Sequence, residues 1–241
     1  FNDKRVRQAF CYAVDREKIA TFTYKGSGVP AKYGFVPPGC GTYDPTKVKG
    51  YTFDPVKAQG LLAAAGFPKG AGFPKVTLQI NSGGGRNAQI AEAIQKMIQE
   101  VLNIKVEILT VPWAQHSESI ESAKTEFYRL GWVADYPDPE NFLNLFDSKY
   151  VPEELSTKTY INSFRYKNPE FDKWFRLALA TPDEKLRNEY YPKADQIVID
   201  DAVVLPITYD IDYRILQKNL KGCPQNPIEH RDFRRAYKVP K

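Results

Sequence analysis

Two alternating stretches with a helical run between them constrain this chain most. Val76, Leu78 and Ile80 alternate with polar residues from Lys75 to Asn81, and Ile104, Val106 and Ile108 do the same. Period two predicts strands with one buried face. Between them, Ile90, Ile94, Met97 or Ile98, and Val101 recur at helical spacing from about Arg86 to Leu102. Strand, helix, strand in close succession predicts a layered α/β domain.

The remaining pattern agrees. Asn2 or Asp3 can cap a helix to about Tyr12 or Ala13, and Asp15 opens another toward Lys25, ended by Gly26. Residues 26–53 lack periodicity and read as a long loop, a kind of segment that often carries function. Asp54-Pro55 starts a helix closed near Gly66. Trp113 begins an amphipathic helix to about Lys124, and a strand is expected from Phe127 to Trp132. A short helix spans Glu140–Phe146, followed by a polar, irregular stretch over 147–167. Pro169–Ala180 is a helix with Phe171, Trp174, Phe175 and Ala178 inward. Thr181-Pro182-Asp183-Glu184 reads as a capping box for a helix to Asp200, with Pro192 inside it as a kink or stop. Val203–Tyr209 reads as a strand, and the rest as a tail with a short final strand.

Composition narrows the function. The net charge is +5, from 34 Lys and Arg against 29 Asp and Glu, and the densest basic cluster is terminal: Arg231, Arg234, Arg235, Lys238. That reads as a solvated tail and not a nucleic-acid-binding face. Cys11, Cys40 and Cys223 form no paired-cysteine motif, so at most one internal disulfide is expected and no metal or redox cofactor. The chain has two histidines, His116 and His230. His116 reads as a surface residue on a polar helix, and no nucleophile–base pair can be named, so no enzyme is expected. No apolar run reaches the about 18 residues of a membrane span. The start at Phe1, directly into a helix pattern, reads as a piece cut from a longer protein.

Two segments could hold a ligand. Ser82-Gly83-Gly84-Gly85 lacks the spacing of a nucleotide loop. It is either a tight turn or, with Arg86 beside the positive end of a helix, a place for a ligand carboxylate. In Tyr128-Arg129-Leu130-Gly131-Trp132-Val133-Ala134-Asp135-Tyr136-Pro137-Asp138-Pro139, Asp135 follows the end of the expected strand. It either caps the next helix or serves a ligand at a strand exit.

Here the chain resembles the bacterial solute-binding proteins of the oligopeptide and dipeptide type, solute-binding protein family 5. The resemblance begins at Asn2-Asp3-Lys4-Arg5-Val6-Arg7-Gln8-Ala9-Phe10 with Ala13-Val14-Asp15-Arg16-Glu17-Lys18-Ile19, and continues through Val36-Pro37-Pro38 and Tyr51–Phe67. It is most specific at Gly131-Trp132 with Ala134–Pro139, and runs on through Asn168-Pro169-Glu170-Phe171-Asp172 to Leu205-Pro206-Ile207.

The resemblance implies one lobe of a type II periplasmic-binding-protein-like fold, a mixed sheet flanked by helices. Residues 1–202 would be the carboxyl-terminal lobe, and 203–241 a segment returning toward the other lobe. It implies an ABC importer's substrate-binding component, monomeric, that captures peptides outside the cytoplasm and hands them to permease subunits. The whole protein would be periplasmic or lipid-anchored. Asp135 would pair with the ligand's α-ammonium. Arg129–Val133 would pair with its backbone through Gly131 and Val133. Trp113 and Trp132 would be pocket walls, Arg129 a cation facing the pocket, and Arg86 or Asn87 a partner for the ligand's carboxylate. Some relatives bind oligosaccharides, nickel chelates or haem on this scaffold. Ile120, or nearby Glu121, stands where some oligopeptide binders carry a basic residue.

Overall fold

In the computed structural model, helices α1 (Lys4–Ala13) and α2 (Arg16–Lys18) precede strand β1 (Gly28–Pro30) and helix α3 (Pro55–Ala64). Then come β2 (Val76–Asn81), α4 (Gly85–Leu102) and β3 (Val106–Val111). Helices α5 (Trp113–Glu121), α6 (Glu140–Leu143), α7 (Pro169–Ala180) and α8 (Glu184–Asp200) follow. Strands β4 (Thr208–Asp210), β5 (Leu220–Lys221) and β6 (Tyr237–Lys238) end the order. The structure describes residues 1–154, 156–211, 213–226 and 232–240. His230 and Arg231 of the sequence reading lie outside the described residues.

β2 and β3 pair in parallel, Val76 opposite Val106 and Asn81 opposite Val111. Parallel strands need a crossover, and α4 supplies it, burying Ile90, Ala91, Ile94, Ile98 and Leu102. These side chains pack with Val6, Ala9 and Phe10 of α1 and Ala58 and Leu62 of α3 in one core. A second core joins Phe142, Leu143 and Phe146 to Phe171 and Phe175 of α7, Tyr191 and Val198 of α8, and Val36 and Tyr43. Helix α1 lies between the cores, with Phe10 in the first and Cys11 in the second. Each fully buried Phe contributes about 1.5–3 kcal/mol before entropy is counted.

Caps at three expected positions are made by side chains. Asp3 accepts from the Arg5 N–H at 2.8 Å, Asp15 from Lys18 at 3.1 Å and Asp54 from Lys57 at 2.9 Å. Elsewhere the structure corrects the reading. The helix after Asp15 keeps α geometry only to Lys18, and Ile19–Thr23 continues it as a π-helical turn. The wider turn brings Tyr24 into the first core. Helix α5 stops at Glu121, because Ala123 turns left-handed at φ 54°. Trp174 is half-buried on the flank of α7, against the Tyr190 ring at 5.8 Å, because Phe171, Phe175 and Ala178 already fill the inward stripe.

The expected capping box at Thr181 is not formed. Thr181 Oγ1 instead bonds back to Leu177 O at 2.6 Å in the preceding helix. Asp183 caps α8, accepting from the Lys185 and Leu186 N–H groups. Pro192 does not shorten α8, which runs through it. A proline leaves the carbonyl four residues earlier without its helical donor. That carbonyl, Asn188 O, accepts from Lys47 Nζ at 3.1 Å.

The expected strand Val203–Tyr209 shrinks to β4, antiparallel to β1, with Gly28 opposite Asp210. Pro206 cannot donate to a ladder. Its carbonyl takes Arg16 Nε at 2.6 Å, and Ile207 O takes the Ala31 N–H at 3.0 Å. The final strand forms as β6, paired with β5.

Within the unpatterned segment over 26–53, which also contributes β1, a buried carboxylate clasps residues 35–43. Asp195 of α8 accepts from Phe35 N–H at 2.8 Å, Val36 N–H at 3.2 Å and Tyr43 Oη at 2.8 Å. No side chain fits at Gly34, whose Cβ would stand 2.0 Å from Asp195 Oδ2.

All three cysteines are free. Cys11 and Cys40 are buried, and burial pushes both thiols up to about 12. Only thiolate reacts readily. A colorimetric disulfide reagent at neutral pH is therefore expected to titrate Cys223 alone in the native chain and all three cysteines after denaturation. Rapid native labelling of two or more would contradict this.

Candidate functional site

The second edge of β2 organises the candidate site. Gln79 bridges Tyr128 in parallel. Its N–H donates to Phe127 O at 2.9 Å, and its carbonyl accepts from the Arg129 N–H at 2.9 Å. The strand expected over Phe127–Trp132 is reduced to this one bridge. β2 runs two residues past the bridge to Asn81, but the Arg129 carbonyl goes to His116 Nε2 at 2.8 Å and no further rung forms. Beyond Arg129 the chain runs on unpaired. Among the described residues, no main-chain N–H or C=O of 130–134 has a protein partner. Leu130 is 39% and Val133 66% exposed, and Gly131 is exposed.

Asn141 anchors the far end of this free stretch. Its side chain is 6% exposed, and its Oδ1 accepts from Trp132 Nε1 at 2.8 Å and from the Asp135 N–H at 3.3 Å. Its Nδ2 donates to Asp135 Oδ2 at 3.3 Å. One amide thus sets the Trp132 indole and the Asp135 carboxylate together. Asp135 does not cap α6; Asp138 accepts from the Glu140 N–H at 2.9 Å and pairs with Arg187 at 2.6 Å. With Asp138 holding the turn, the exposed Asp135 keeps its second oxygen for another partner. The Tyr160 ring lies 6.2 Å from Trp132, inside the irregular stretch where no pattern marks it.

The near end carries the cations. Arg129 Nη1 reaches Asn81 Oδ1 at 3.4 Å, and its guanidinium lies 3.5 Å from where a Gly131 Cβ would be. The exposed Arg86 stacks over the Tyr24 ring at 4.8 Å. Tyr24 lies within electrostatic reach of both arginines, although burial dominates and raises its phenol above the usual range. Trp113 is 54% exposed, its ring 5.9 Å from His116.

His116 overturns the surface reading, being 0% exposed. The overlooked signal is its spacing, since Trp113, His116 and Ile120 fall on one helical stripe. Burial, the largest influence, lowers its pKa and so favours neutral imidazole. Asn141 had a weaker signal, as a polar residue beside the apolar Phe142-Leu143. Among the described residues, no three His, Cys, Asp or Glu side chains gather to hold a metal. No described helix is long and apolar enough to cross a membrane.

The fold class follows from this architecture and its likeness to solved structures. The chain superimposes on the murein tripeptide binding protein MppA of Escherichia coli with a TM-score of 0.82 at 28% identity. The match covers 100% of this chain and 46% of that one, which places the chain in the type II periplasmic-binding-protein class. Residues 1–152 match the model of the bacterial extracellular solute-binding proteins, family 5 Middle, and the chain belongs to that family. The dipeptide-binding protein of Escherichia coli (strain K12) is 30% identical over 233 residues, 96% of this chain and 42% of its own length. Heme-binding protein A of Haemophilus influenzae is 29% identical over 235 residues, 97% of this chain and 41% of its own length. The chain therefore spans less than half the length of these curated relatives.

Proposed function

We propose that this chain is the peptide-holding lobe of the substrate-binding component of an ABC importer. The unpaired main chain of 130–134, running into the exposed Asp135 carboxylate, carries the reading. A free edge accepts an extended peptide by main-chain hydrogen bonds without reading its side chains. Asp135 then stands at one end for the peptide's ammonium, a charge-assisted contact. Trp132 and Trp113 offer apolar walls, and Arg129 and Arg86 supply positive charge for a carboxylate. The peptide and dipeptide binders among its relatives support the choice of ligand.

In this reading residues 1–202 form the lobe and 203–241 return toward a second lobe, which closes over the ligand. The closed form would be what the permease recognises. The protein works as a monomer outside the cytoplasm, free or lipid-anchored, and catalyses nothing. The haem-binding relative offers a second ligand class, but haem does not need the main-chain edge or the Asp135 carboxylate.

The test is to purify the whole protein that carries this chain and release what it retains for mass spectrometry. Calorimetric titration with di- to pentapeptides would follow. Retained peptides with free amino termini are expected. Retention of haem or a sugar with no peptide would overturn the ligand assignment and leave the fold intact.

A further inference from the structure

Beneath the free edge lies a contact whose role the peptide reading does not itself assign. Helix α5 turns His116 inward between β2 and the stretch at 127–129. Its Nε2 lies 2.8 Å from Arg129 O, and its Nδ1 lies 3.0 Å from Gln79 Nε2. A carbonyl oxygen can only accept, so Nε2 carries the proton and Nδ1 accepts from the Gln79 amide. Gln79 also grips this stretch with its main chain, through Phe127 O and the Arg129 N–H. Both main-chain groups of Arg129 are therefore held, the N–H by β2 and the carbonyl by His116. The next main-chain contact comes only at the Asp135 N–H, on Asn141.

We propose that His116 is a positioning residue for ligand capture: its Nε2–H fixes the Arg129 carbonyl at the last anchored point before the free edge. The inference rests on the peptide reading. Rotation of the Arg129 carbonyl turns the peptide plane shared with Leu130, and the plane sets the direction in which 130–134 leaves β2. With the carbonyl held, the main-chain groups of Gly131 and Val133 meet an incoming peptide in one register. Without it, the stretch hangs between the bridge at Tyr128 and the side chain of Asn141. Register matters because a one-residue slip turns every edge group to the opposite side. The imidazole is suited to the task. It is fully buried, both nitrogens are satisfied in the neutral form, and burial disfavours protonation.

Two variants separate positioning from bulk packing. His116→Phe keeps a planar ring and removes the donor, while His116→Gln restores an N–H at similar reach. In the whole protein, His116→Phe is expected to speed amide exchange at Arg129, whose N–H is bonded to Gln79 O, about tenfold, with α4 unchanged. It is expected to weaken peptide binding about tenfold, as for a lost hydrogen bond to a part-buried carbonyl. His116→Gln is expected to bring both within about threefold of the unsubstituted protein. A purely structural role would instead raise exchange across the whole fold, and glutamine would rescue no better than phenylalanine. Unchanged exchange at Arg129 in His116→Phe, or no rescue by glutamine, would overturn the proposal. If the unsubstituted protein holds no peptide, the peptide reading falls, while the exchange comparison still decides whether His116 fixes the edge.

Discussion

Replacing Asp195 by alanine is expected to destabilise the protein by about 3–5 kcal/mol, the largest single effect on folding foreseen here. The carboxylate is completely buried and accepts from Phe35, Val36 and Tyr43. Alanine orphans two main-chain N–H groups and a phenol in a place closed to water, and each such group costs about 1–3 kcal/mol. The loop over 26–53 would lose the clasp joining it to α8. Urea unfolding measures the effect, and a loss under about 1 kcal/mol would mean that water takes over the donors.

The same residue carries a pH dependence. Burial, opposed by the three donors, pushes the Asp195 carboxyl up to about 6. The folded state therefore binds a proton that the unfolded chain has already released. Its stabilising share is complete below about pH 4 and lost as pH rises through about 6. The neutral acid can be accommodated, because the Tyr43 hydroxyl can turn from donor to acceptor. Asp195→Asn does not titrate, so the stability difference between it and the unsubstituted protein isolates this group from all other carboxylates. That difference is expected to shift in favour of aspartate by about 2.5 kcal/mol between pH 7 and pH 4. A flat difference would show that the three donors hold the carboxyl near its ordinary range.

Asp135→Ala in the whole protein is expected to weaken peptide binding by about 2–4 kcal/mol. In this chain Asp135 is exposed, tied to Asn141 through one oxygen at 3.3 Å. Closure of a second lobe would exclude water, and a carboxylate facing the ligand's ammonium gains strength as the surroundings dry. The substitution leaves that ammonium desolvated and unpaired. Acetylating the peptide's amino terminus removes the other partner, so it is expected to cost the unsubstituted protein a similar amount. Combining the two changes should cost less than their sum, since both remove one interaction. Calorimetric titration checks each arm, and unchanged affinity in Asp135→Ala would end the assignment.

The helices and their starts were legible because they are local. Asp3, Asp15 and Asp54 cap through backbone N–H groups two or three residues away, so spacing alone exposes them. The β2–α4–β3 unit was legible for the same reason, since period two and period 3.6 are properties of single segments. The candidate edge was legible from Trp132 and Asp135 in a specific run of residues. Its pairing was not, because a strand forms only where both partners keep their main-chain groups for each other, and the Arg129 carbonyl goes to His116, distant in sequence.

The departures have two kinds of cause. At Thr181 the choice is local, since Asp183, two residues on, takes the cap. Pro192 reads as a stop by itself, and the carbonyl it leaves free is met by Lys47, distant in sequence. His116 looked like a surface residue because its helix is polar, until Gln79 and Arg129 closed over it. The sequence by itself determined the class of fold and most of its helices, and it singled out the segment proposed above as a ligand edge. Only the tertiary structure decided that Asn141 sets Asp135, that His116 holds Arg129 and that Asp195 clasps the long loop. Periodicity and capping are written into consecutive residues, whereas a buried polar contact depends on where the chain places atoms far apart along it.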